Sequence, residues 1–359
     1  MRMGSTSRLI FFLGLVGAIG VWSAPRPAAS CSTFLIETAA GSLVGKGYDW
    51  RDEHALALIN KSGVAKQALV VDPRDPPAHW TSRHASLSFN QYGREFPNGG
   101  INDAGLVVEV LVLEDSVFAK ADGRPVVSEL QFVQYLLDQA ATLDEAVTLA
   151  KAIRVVPVFA PLHYFVCDAS PACGAFEYLG GKLVVSRGDD LPAKVLTNST
   201  YRASRGALTA SGTLVPTGQG SRDRFVRLAH GVATYSADRA ADTGDAFSML
   251  DSVRFADSTR WQIVYEQGNL RAYFRSRSHP TIKSINLPTF DPNCTTPAMM
   301  YDPLTDDTGD VTARFVPYDA ATNARLLQAS FGALNDKRVL SLSKQVAGYA
   351  EGTSCSLRE

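Results

Sequence analysis

An apolar leader that ends at a cysteine constrains this chain more than any other feature of its sequence. Two arginines precede an uninterrupted run of fourteen apolar residues at 9–22. A membrane-spanning helix needs about 20 such residues, so the run is short for a span. Small residues follow at 28–30, where a signal peptidase cuts, and the next residue is Cys31. The sequence predicts a signal peptide over 1–30 and one mature domain over 31–359.

Other fates of this leader remain open. An uncleaved leader would act as an N-terminal anchor. A bacterial lipoprotein signal would place a lipid on Cys31, although Ala28 stands where that signal usually has leucine. The chain would then be a lipid-anchored envelope protein that binds without catalysing. The sequence also does not distinguish removal of the leader by signal peptidase from self-cleavage.

The composition of the mature chain is that of a globular exported protein. Hydrophobic residues make up 45% of the sequence, which excludes wholesale disorder. Without 1–30, 32 basic residues stand against 36 acidic ones, a net charge of −4. This balance gives no reason to expect a nucleic-acid partner. We expect a secreted or periplasmic protein with no membrane span in its mature form.

The five cysteines divide into two pairs and one remainder. Cys167 and Cys173 flank a turn-forming loop between two strand-like runs, so a disulfide can form easily there. Cys294 and Cys355 then remain to tie the C-terminal tail to the body, as expected in an oxidising compartment. Other connectivities are allowed by the sequence alone. The thiol left over is Cys31, the predicted first residue of the mature chain.

An N-terminal cysteine carries a nucleophile and a base on one residue. The reference pKa of an α-amine is about 7.7–8.0 and that of a thiol about 8.5, so the amine can take the thiol proton. An N-terminal nucleophile also needs none of the common catalytic or nucleotide-binding motifs, and the sequence holds no GxSxG, HExxH, P-loop or GxGxxG motif. Cys31 is therefore the leading candidate nucleophile.

A carboxylate opposite Cys31 would hold its amine. Two strand-like runs flank residues 39–41, and a three-residue hairpin loop that ends in glycine pairs Thr38 with Ser42. That register places Cys31 opposite Asp49, with both side chains on one face of the hairpin.

The chain resembles the choloylglycine hydrolase and penicillin V acylase family of N-terminal nucleophile hydrolases. The resemblance rests on the order of several short motifs along most of the mature chain rather than on any one of them. These motifs are Gly45–Trp50, Gly100–Leu106, His163–Tyr178, Val195–Asn198, Ser221–Arg227 and Thr259–Trp261.

The resemblance implies a role for four residues. Cys31 matches the nucleophile and base, and Asp49 matches the carboxylate that holds the α-amine. Asn198 matches the amide of the oxyanion hole, and Arg224 matches the arginine that organises the site. Without the resemblance, Asn198 would be interpreted as a turn residue and Arg224 as a solvated helix residue.

Two positions depart from the family pattern. Lys46 stands where the family usually has arginine, three residues before the aspartate. Strand alternation points Lys46 away from Asp49, so we expect a bulge at Gly45 or Gly47 if both reach the site. Val112 stands where bile-salt hydrolases have a second oxyanion asparagine, which weighs against a bile-salt substrate. Further candidates for lining the site are Lys46, Val112 and Tyr201.

The implied function is hydrolysis of a linear non-peptide N-acyl amide through a thioester acyl-enzyme. Candidate acyl groups are apolar, such as fatty acyl, phenoxyacetyl or steroid acyl groups, and N-acyl homoserine lactones are a candidate periplasmic substrate. Relatives are often tetramers, so a homo-oligomer is expected. The six histidines show no metal-ligand spacing, and we expect neither a metal nor a cofactor.

The periodicity predicts a mixed α+β fold, and the resemblance implies the four-layer αββα sandwich of N-terminal nucleophile hydrolases. Residues 203–220, rich in Ser, Gly and Thr, are expected to form a flexible loop. The predicted strands are 31–38, 42–49, 54–60, 105–113, 162–167, 173–179, 182–187, 260–267 and 270–276. The predicted helices are 127–153 (broken near 142), 221–236, 243–253 and 318–333.

Overall fold

The computed structural model describes residues 30–38, 41–235, 241–334 and 337–356. The predicted signal peptide lies almost wholly outside these ranges, since residues 1–29 are not among them. Within them, none of the helices combines the length and the apolar character that crossing a membrane requires.

Most strands belong to two large sheets. In chain order the strands are β1 (Ser32–Thr38), β2 (Gly41–Asp49), β3 (Leu56–Asn60), β4 (Val64–Gln67), β5 (His79–Thr81), β6 (Ser86–Asn90), β7 (Gly99–Asn102), β8 (Val107–Val112), β9 (Val126–Ser128), β10 (Arg154–Val156), β11 (Leu162–Cys167), β12 (Cys173–Leu179), β13 (Lys182–Arg187), β14 (Val195–Leu196), β15 (Thr259–Glu266), β16 (Arg271–Ser276), β17 (Lys283–Asn286), β18 (Met299–Tyr301), β19 (Gly309–Asp310), β20 (Val316–Pro317) and β21 (Ser354–Cys355). The first large sheet has the order β14-β1-β2-β15-β16-β17-β19, and the second has the order β13-β12-β11-β8-β7-β6-β3-β18-β20. Two small sheets pair β9 with β10 and join β21, β4 and β5.

Helices cover the outer face of each large sheet. The helices of the described residues are α1 (Gln131–Gln139), α2 (Leu143–Ala152), α3 (Tyr201–Ser211), α4 (Ser221–Ala233), α5 (Thr243–Ser252), α6 (Ala320–Leu334) and α7 (Lys337–Glu351). Helices α4 and α5 pack on β1, β2, β14 and β15, whereas α1 and α2 pack on β7, β8, β11 and β13. The layers therefore follow the order αββα, as the resemblance implied.

Alternating residues of β8 show how the strands divide the core. Val107 and Leu111 pack in the cluster that contains the first sheet, whereas Val108 and Val110 pack with α1 and α2. Because side chains alternate faces along a strand, one strand serves both the layer between the sheets and the layer under the helices. Glu109 points into the space between the sheets, where Tyr265 of β15 donates to it.

The predicted strands are all present, with ends that differ by at most two residues. The predicted disulfides, Cys167–Cys173 and Cys294–Cys355, are also confirmed. The helices predicted at 221–236, 243–253 and 318–333 correspond to α4, α5 and α6.

Two predictions about helices and loops are wrong in part. The helix predicted over 127–153 begins with the strand β9, where adjacent valines favour extended backbone. The break near 142 is confirmed, because the side chain of Thr142 caps α2 by accepting from the amide of Glu145. The loop predicted over 203–220 is helical as far as Ser211, since Thr200 caps α3 in the same way.

Candidate active site

The hairpin that begins at Cys31 has a register one residue away from the predicted one. Ser32 pairs with Gly47 and Thr38 pairs with Gly41, because Gly41 belongs to the strand β2 rather than to the loop. The loop residues 39–40 lie outside the described part of the chain. Continuing this register places Tyr48, not Asp49, opposite Cys31.

The one-residue difference changes the face on which Asp49 lies. Tyr48 shares the inner face of the first sheet with Cys31, whereas the side chain of Asp49 lies on the other face and accepts from the hydroxyl of Thr259. Asp49 still contacts Cys31, because its carbonyl oxygen lies 3.9 Å from the Sγ of Cys31. Burial raises the pKa of the Asp49 carboxyl to about 6, although Thr259 and Arg224 both lower it.

The bulge expected at Gly45 or Gly47 is not there. The pairing of β1 with β2 is continuous, and the irregularity lies in β15, between Thr259 and Trp261, opposite the end of β2. The extra residue is Arg260, which donates to the carbonyl of Trp50. The bulge thus fixes the backbone beside Asp49 from the neighbouring strand.

Arg224 is the residue that joins the parts of the site. It lies in the first turn of α4 and is 1% exposed. Its guanidinium donates to the carbonyl oxygens of Ser30 and Cys31, the second at 2.8 Å, and to the hydroxyl of Ser32 at 2.6 Å. It also donates to Oδ1 of Asn198 at 3.0 Å. A planar group with five donors suits this arrangement, because it fixes several acceptors at once.

Asn198 is oriented from both ends of its amide. It follows β14, which pairs with β1, and its Oδ1 accepts from Arg224. Its Nδ2 donates to the carbonyl of Val112 at 2.9 Å. An amide nitrogen carries two hydrogens, so one remains for a substrate oxygen. Val112 therefore contributes a backbone acceptor that positions Asn198, rather than an oxyanion donor of its own.

Lys46 is buried between the sheets and does not line the pocket next to Cys31. Its Nζ lies 3.3 Å from the carboxylate of Glu109 and donates to the carbonyl of Val110. Lys46 nevertheless affects the Cys31 thiol through its charge. Burial raises the pKa of the Cys31 thiol most, and the charge of Asp49 raises it too, whereas Lys46, the backbone carbonyl of Asp49 and Arg224 lower it. The net effect favours the thiol over the thiolate, so Cys31 needs a base to become nucleophilic.

The thiol of Cys31 opens into an apolar pocket. Cys31 is 2% exposed, and it is the cysteine that the two disulfides leave free. The pocket is lined by Cys31, Tyr48, Trp50, Tyr92, Asn98, Val110, Leu111, Val112, Leu130, Phe159, Ala160, Leu162 and Leu334. Polar atoms in this wall are largely paired, since Trp50 donates to the hydroxyl of Tyr92 and Asn98 donates to that of Tyr48.

Tyr201, the remaining candidate for lining the site, is not part of this wall. It is buried in α3, where its hydroxyl donates to the carbonyl of Ala193 at 2.9 Å and its ring packs on Phe225. Sequence reasoning missed most of the wall that does exist. Tyr48 and Trp50 adjoin Asp49 in a quoted motif and could have been found, whereas Phe159 carries no such signal.

The chain is similar to known acylases in both sequence and structure. The chain is 26% identical over 299 residues to a penicillin V acylase from Pectobacterium atrosepticum, a match that covers 68% of this chain and 77% of that protein. The chain is a penicillin V acylase homologue. No protein-family model matches it. The match is consistent with the choloylglycine hydrolase and penicillin V acylase family, as the sequence motifs indicated.

Solved structures that are similar to this chain share its fold. The penicillin V acylase from Agrobacterium tumefaciens superposes with a TM-score of 0.71 at 23% identity, covering 80% of this chain and 98% of that one. A variant of the conjugated bile acid hydrolase from Clostridium perfringens gives a TM-score of 0.65 at 16% identity, covering 77% and 98%. The fold is thus the one that these two hydrolases share.

Proposed function

We propose that this penicillin V acylase homologue is an exported amidohydrolase that cleaves a linear N-acyl amide with Cys31 as its N-terminal nucleophile. The observation that carries the proposal is the position of the buried free thiol of Cys31 at an apolar pocket, beside the linked pair of Arg224 and Asn198. The homology to a penicillin V acylase supports the reaction class.

The reaction begins once the bond between Ser30 and Cys31 has been cut. The freed α-amine takes the thiol proton, and Sγ attacks the amide carbonyl carbon of the substrate. The oxygen of the tetrahedral intermediate accepts a hydrogen bond from the remaining N–H of Asn198 Nδ2. The α-ammonium then gives its proton to the leaving amine as the C–N bond breaks, which leaves a thioester on Cys31. Water, deprotonated by the same amine, hydrolyses the thioester and restores the thiol.

The pocket supports an apolar acyl group as the part of the substrate that is bound. Aromatic and aliphatic side chains form most of its wall, and they favour an acyl chain or ring over a charged group. Phenoxyacetyl and fatty acyl amides, including N-acyl homoserine lactones, meet this requirement. The names of the relatives suggest penicillin V and conjugated bile acids as further members of the panel to be tested.

Export to the periplasm or beyond is part of the same proposal. The apolar leader before Cys31 supports it, and so do two disulfides, which persist in oxidising compartments. The alternative of a lipid on Cys31 receives no support from the packing. A diacylglyceryl group on a thiol that is 2% exposed would have to fit between the sheets rather than reach a membrane.

The test is turnover by protein that has been shown to start at residue 31. Wild type and Cys31→Ala are assayed on a panel of N-acyl amides, with Cys31→Ser as a variant that keeps a weaker nucleophile. We expect Cys31→Ala to lose all measurable turnover and Cys31→Ser to lose most of it. Turnover that survives in Cys31→Ala would contradict the mechanism, and a wild type inactive on every amide would contradict the reaction class.

A further inference from the structure

One wall of the pocket is a short loop whose backbone is held by a single carboxylate. The loop covers residues 157–161, between β10 and β11, and contributes Phe159 and Ala160 to the pocket. The amide of Val158 donates to Oε2 of Glu129 at 2.8 Å. The amides of Phe159 and Ala160 both donate to Oε1, the second at 3.0 Å.

Glu129 is itself fixed by the surrounding strands. It follows β9, which pairs in parallel with β10, so it lies beside the start of the loop. Its amide donates to the carbonyl of Val156 at 3.1 Å, and its carbonyl accepts from the hydroxyl of Tyr164 at 2.9 Å. The side chain is fully buried. A rigid backbone therefore presents the carboxylate to three consecutive amides.

The loop transmits this arrangement to the pocket through the ring of Phe159. That ring stacks on Tyr92 with centroids 5.9 Å apart and on Phe331 of α6 with centroids 5.6 Å apart. Tyr92 in turn accepts from Trp50, which adjoins Asp49. A displacement of Phe159 would therefore alter the aromatic wall that faces the acyl group.

Stability alone does not account for a carboxylate at this position. Burial raises the pKa of Glu129 to about 7, even though the three amides of the loop lower it. An acid whose pKa is raised by folding opposes folding when it is ionised. The ionised form is nevertheless the stronger acceptor for the three amides, because both of its oxygens share the negative charge.

We propose that Glu129 is a positioning residue that holds the 157–161 loop against the acyl pocket and thereby sets the preference of the enzyme for its acyl group. The preference for an acyl group rests on the function proposed above. The attachment of the loop does not rest on it and is measured separately.

The test compares Glu129→Gln with a matched control, Asp168→Asn. Glutamine keeps the shape of the side chain but replaces one acceptor oxygen with an NH2 group that faces the loop amides. Asp168 is the matched control because its buried carboxylate also accepts from three backbone amides, those of Leu143, Ser170 and Ala172, outside this pocket.

The first readout is hydrogen exchange of the peptide covering 157–161. We expect exchange in Glu129→Gln to be at least about 10-fold faster than in wild type, and exchange in Asp168→Asn to be unchanged there. Glu129→Asp, which keeps the charge but is one methylene shorter, should give a smaller increase, and it carries the test if the glutamine variant does not fold. Unchanged exchange in the variants of Glu129 would overturn the proposal.

The second readout is the ratio of kcat/KM for a dodecanoyl amide to that for an acetyl amide of the same amine. We expect Glu129→Gln to lower this ratio about 10-fold, mainly through KM of the longer substrate, with kcat for the acetyl amide nearly unchanged. A ratio equal to that of wild type would overturn the proposal, because a loosened loop would then not affect selection.

The two proposals fail in different ways. If wild type hydrolyses no amide, the proposed function fails, and the affinity of Cys31→Ala for dodecanoate, measured by calorimetry, replaces the kinetic ratio. A weaker affinity after adding Glu129→Gln would support the role of Glu129 at the pocket. An unchanged affinity would overturn it.

Discussion

The surroundings of Cys31 keep its thiol protonated unless a base is present. Burial raises its pKa, and the nearby cations of Lys46 and Arg224 offset this only in part. A thiol that stays protonated is protected from oxidation, and it becomes a nucleophile only when a base is beside it. The proposed base is the α-amine of the same residue, which exists only after the leader has been removed.

The oxyanion role proposed for Asn198 leads to a prediction for kcat. Asn198→Ala removes the amide that Arg224 and Val112 orient, so we expect kcat to fall about 10²–10³-fold with little change in KM. The measurement is steady-state kinetics together with alkylation of Cys31, which should proceed at a rate close to that of wild type. The control is Asn269→Ala, which alters an exposed asparagine. A loss of less than about threefold would show that Asn198 does not stabilise the transition state.

The raised pKa of Asp49 leads to a prediction for the acid limb of the pH profile. Asp49 is charged above a pKa of about 6, so kcat/KM should fall as the pH drops through that value and the carboxylate is lost. The hydroxyl of Thr259 donates to Asp49 and lowers this pKa. Thr259→Val should therefore move the acid limb to higher pH by about half a unit to one unit, whereas Thr259→Ser should not. If the acid limb of Thr259→Val stays at the same pH as in wild type, the titration of Asp49 does not cause it.

At the scale of elements, local patterns predicted the strands well and the register badly. Alternation of apolar residues marked both strands of the first hairpin, but the choice between a three-residue loop and a shorter one depends on turn geometry. A register shift of one residue moves every side chain of a strand to the other face of the sheet. Composition misled for residues 203–220, since the cap at Thr200 and the packing of Tyr201 outweigh the small polar residues. The αββα order came from the resemblance alone.

The parts of the site that the sequence could not supply depend on distant pairings. Glu129 meets the loop that contains Phe159 only because β9 pairs with β10, with two helices between them in the chain. Lys46 finds Glu109 across the gap between the sheets. Neither contact has a local signal. The motifs, by contrast, predicted Cys31, Asn198 and Arg224 as site residues, and the fold brings these three together.

The two disulfides should differ in their contribution to stability. The bond between Cys294 and Cys355 closes a separation of 61 residues, and the bond between Cys167 and Cys173 a separation of 6. In the chain-entropy model these contribute about 4 and about 2 kcal/mol to the free energy of unfolding. Paired Cys→Ser variants, compared by urea denaturation, should show the larger loss for the first bond. Equal losses would contradict a dominant entropic effect.

For the whole molecule, the site concentrates buried charges that oppose folding. Asp49 and Glu129 both have a raised pKa, with burial as the largest cause. The folded state therefore binds more protons than the unfolded state between the ordinary and the raised pKa, and the free energy of unfolding falls as the pH rises through that window. The large apolar core between and outside the sheets offsets this penalty.

Glu129→Gln removes one of these titrations. The pKa of Glu129 rises from 4.5 to about 7 in the folded protein, a shift equivalent to about 3 kcal/mol. The free energy of unfolding of wild type minus that of Glu129→Gln should therefore decrease between about pH 4.5 and pH 7 and then level off. Urea titrations at several pH values measure it. A difference that is constant or increases with pH would contradict the raised pKa.

The central claim is that Cys31, as the first residue of the mature chain, carries the acyl group during turnover. The most direct measurement is the intact mass and peptide map of the exported protein, quenched with acid during hydrolysis of an N-acyl amide. The account predicts a chain that starts at Cys31, contains two disulfides, and bears one acyl group on the sulfur of Cys31. An active chain that starts upstream of Cys31, or an acyl group on another residue, would contradict it.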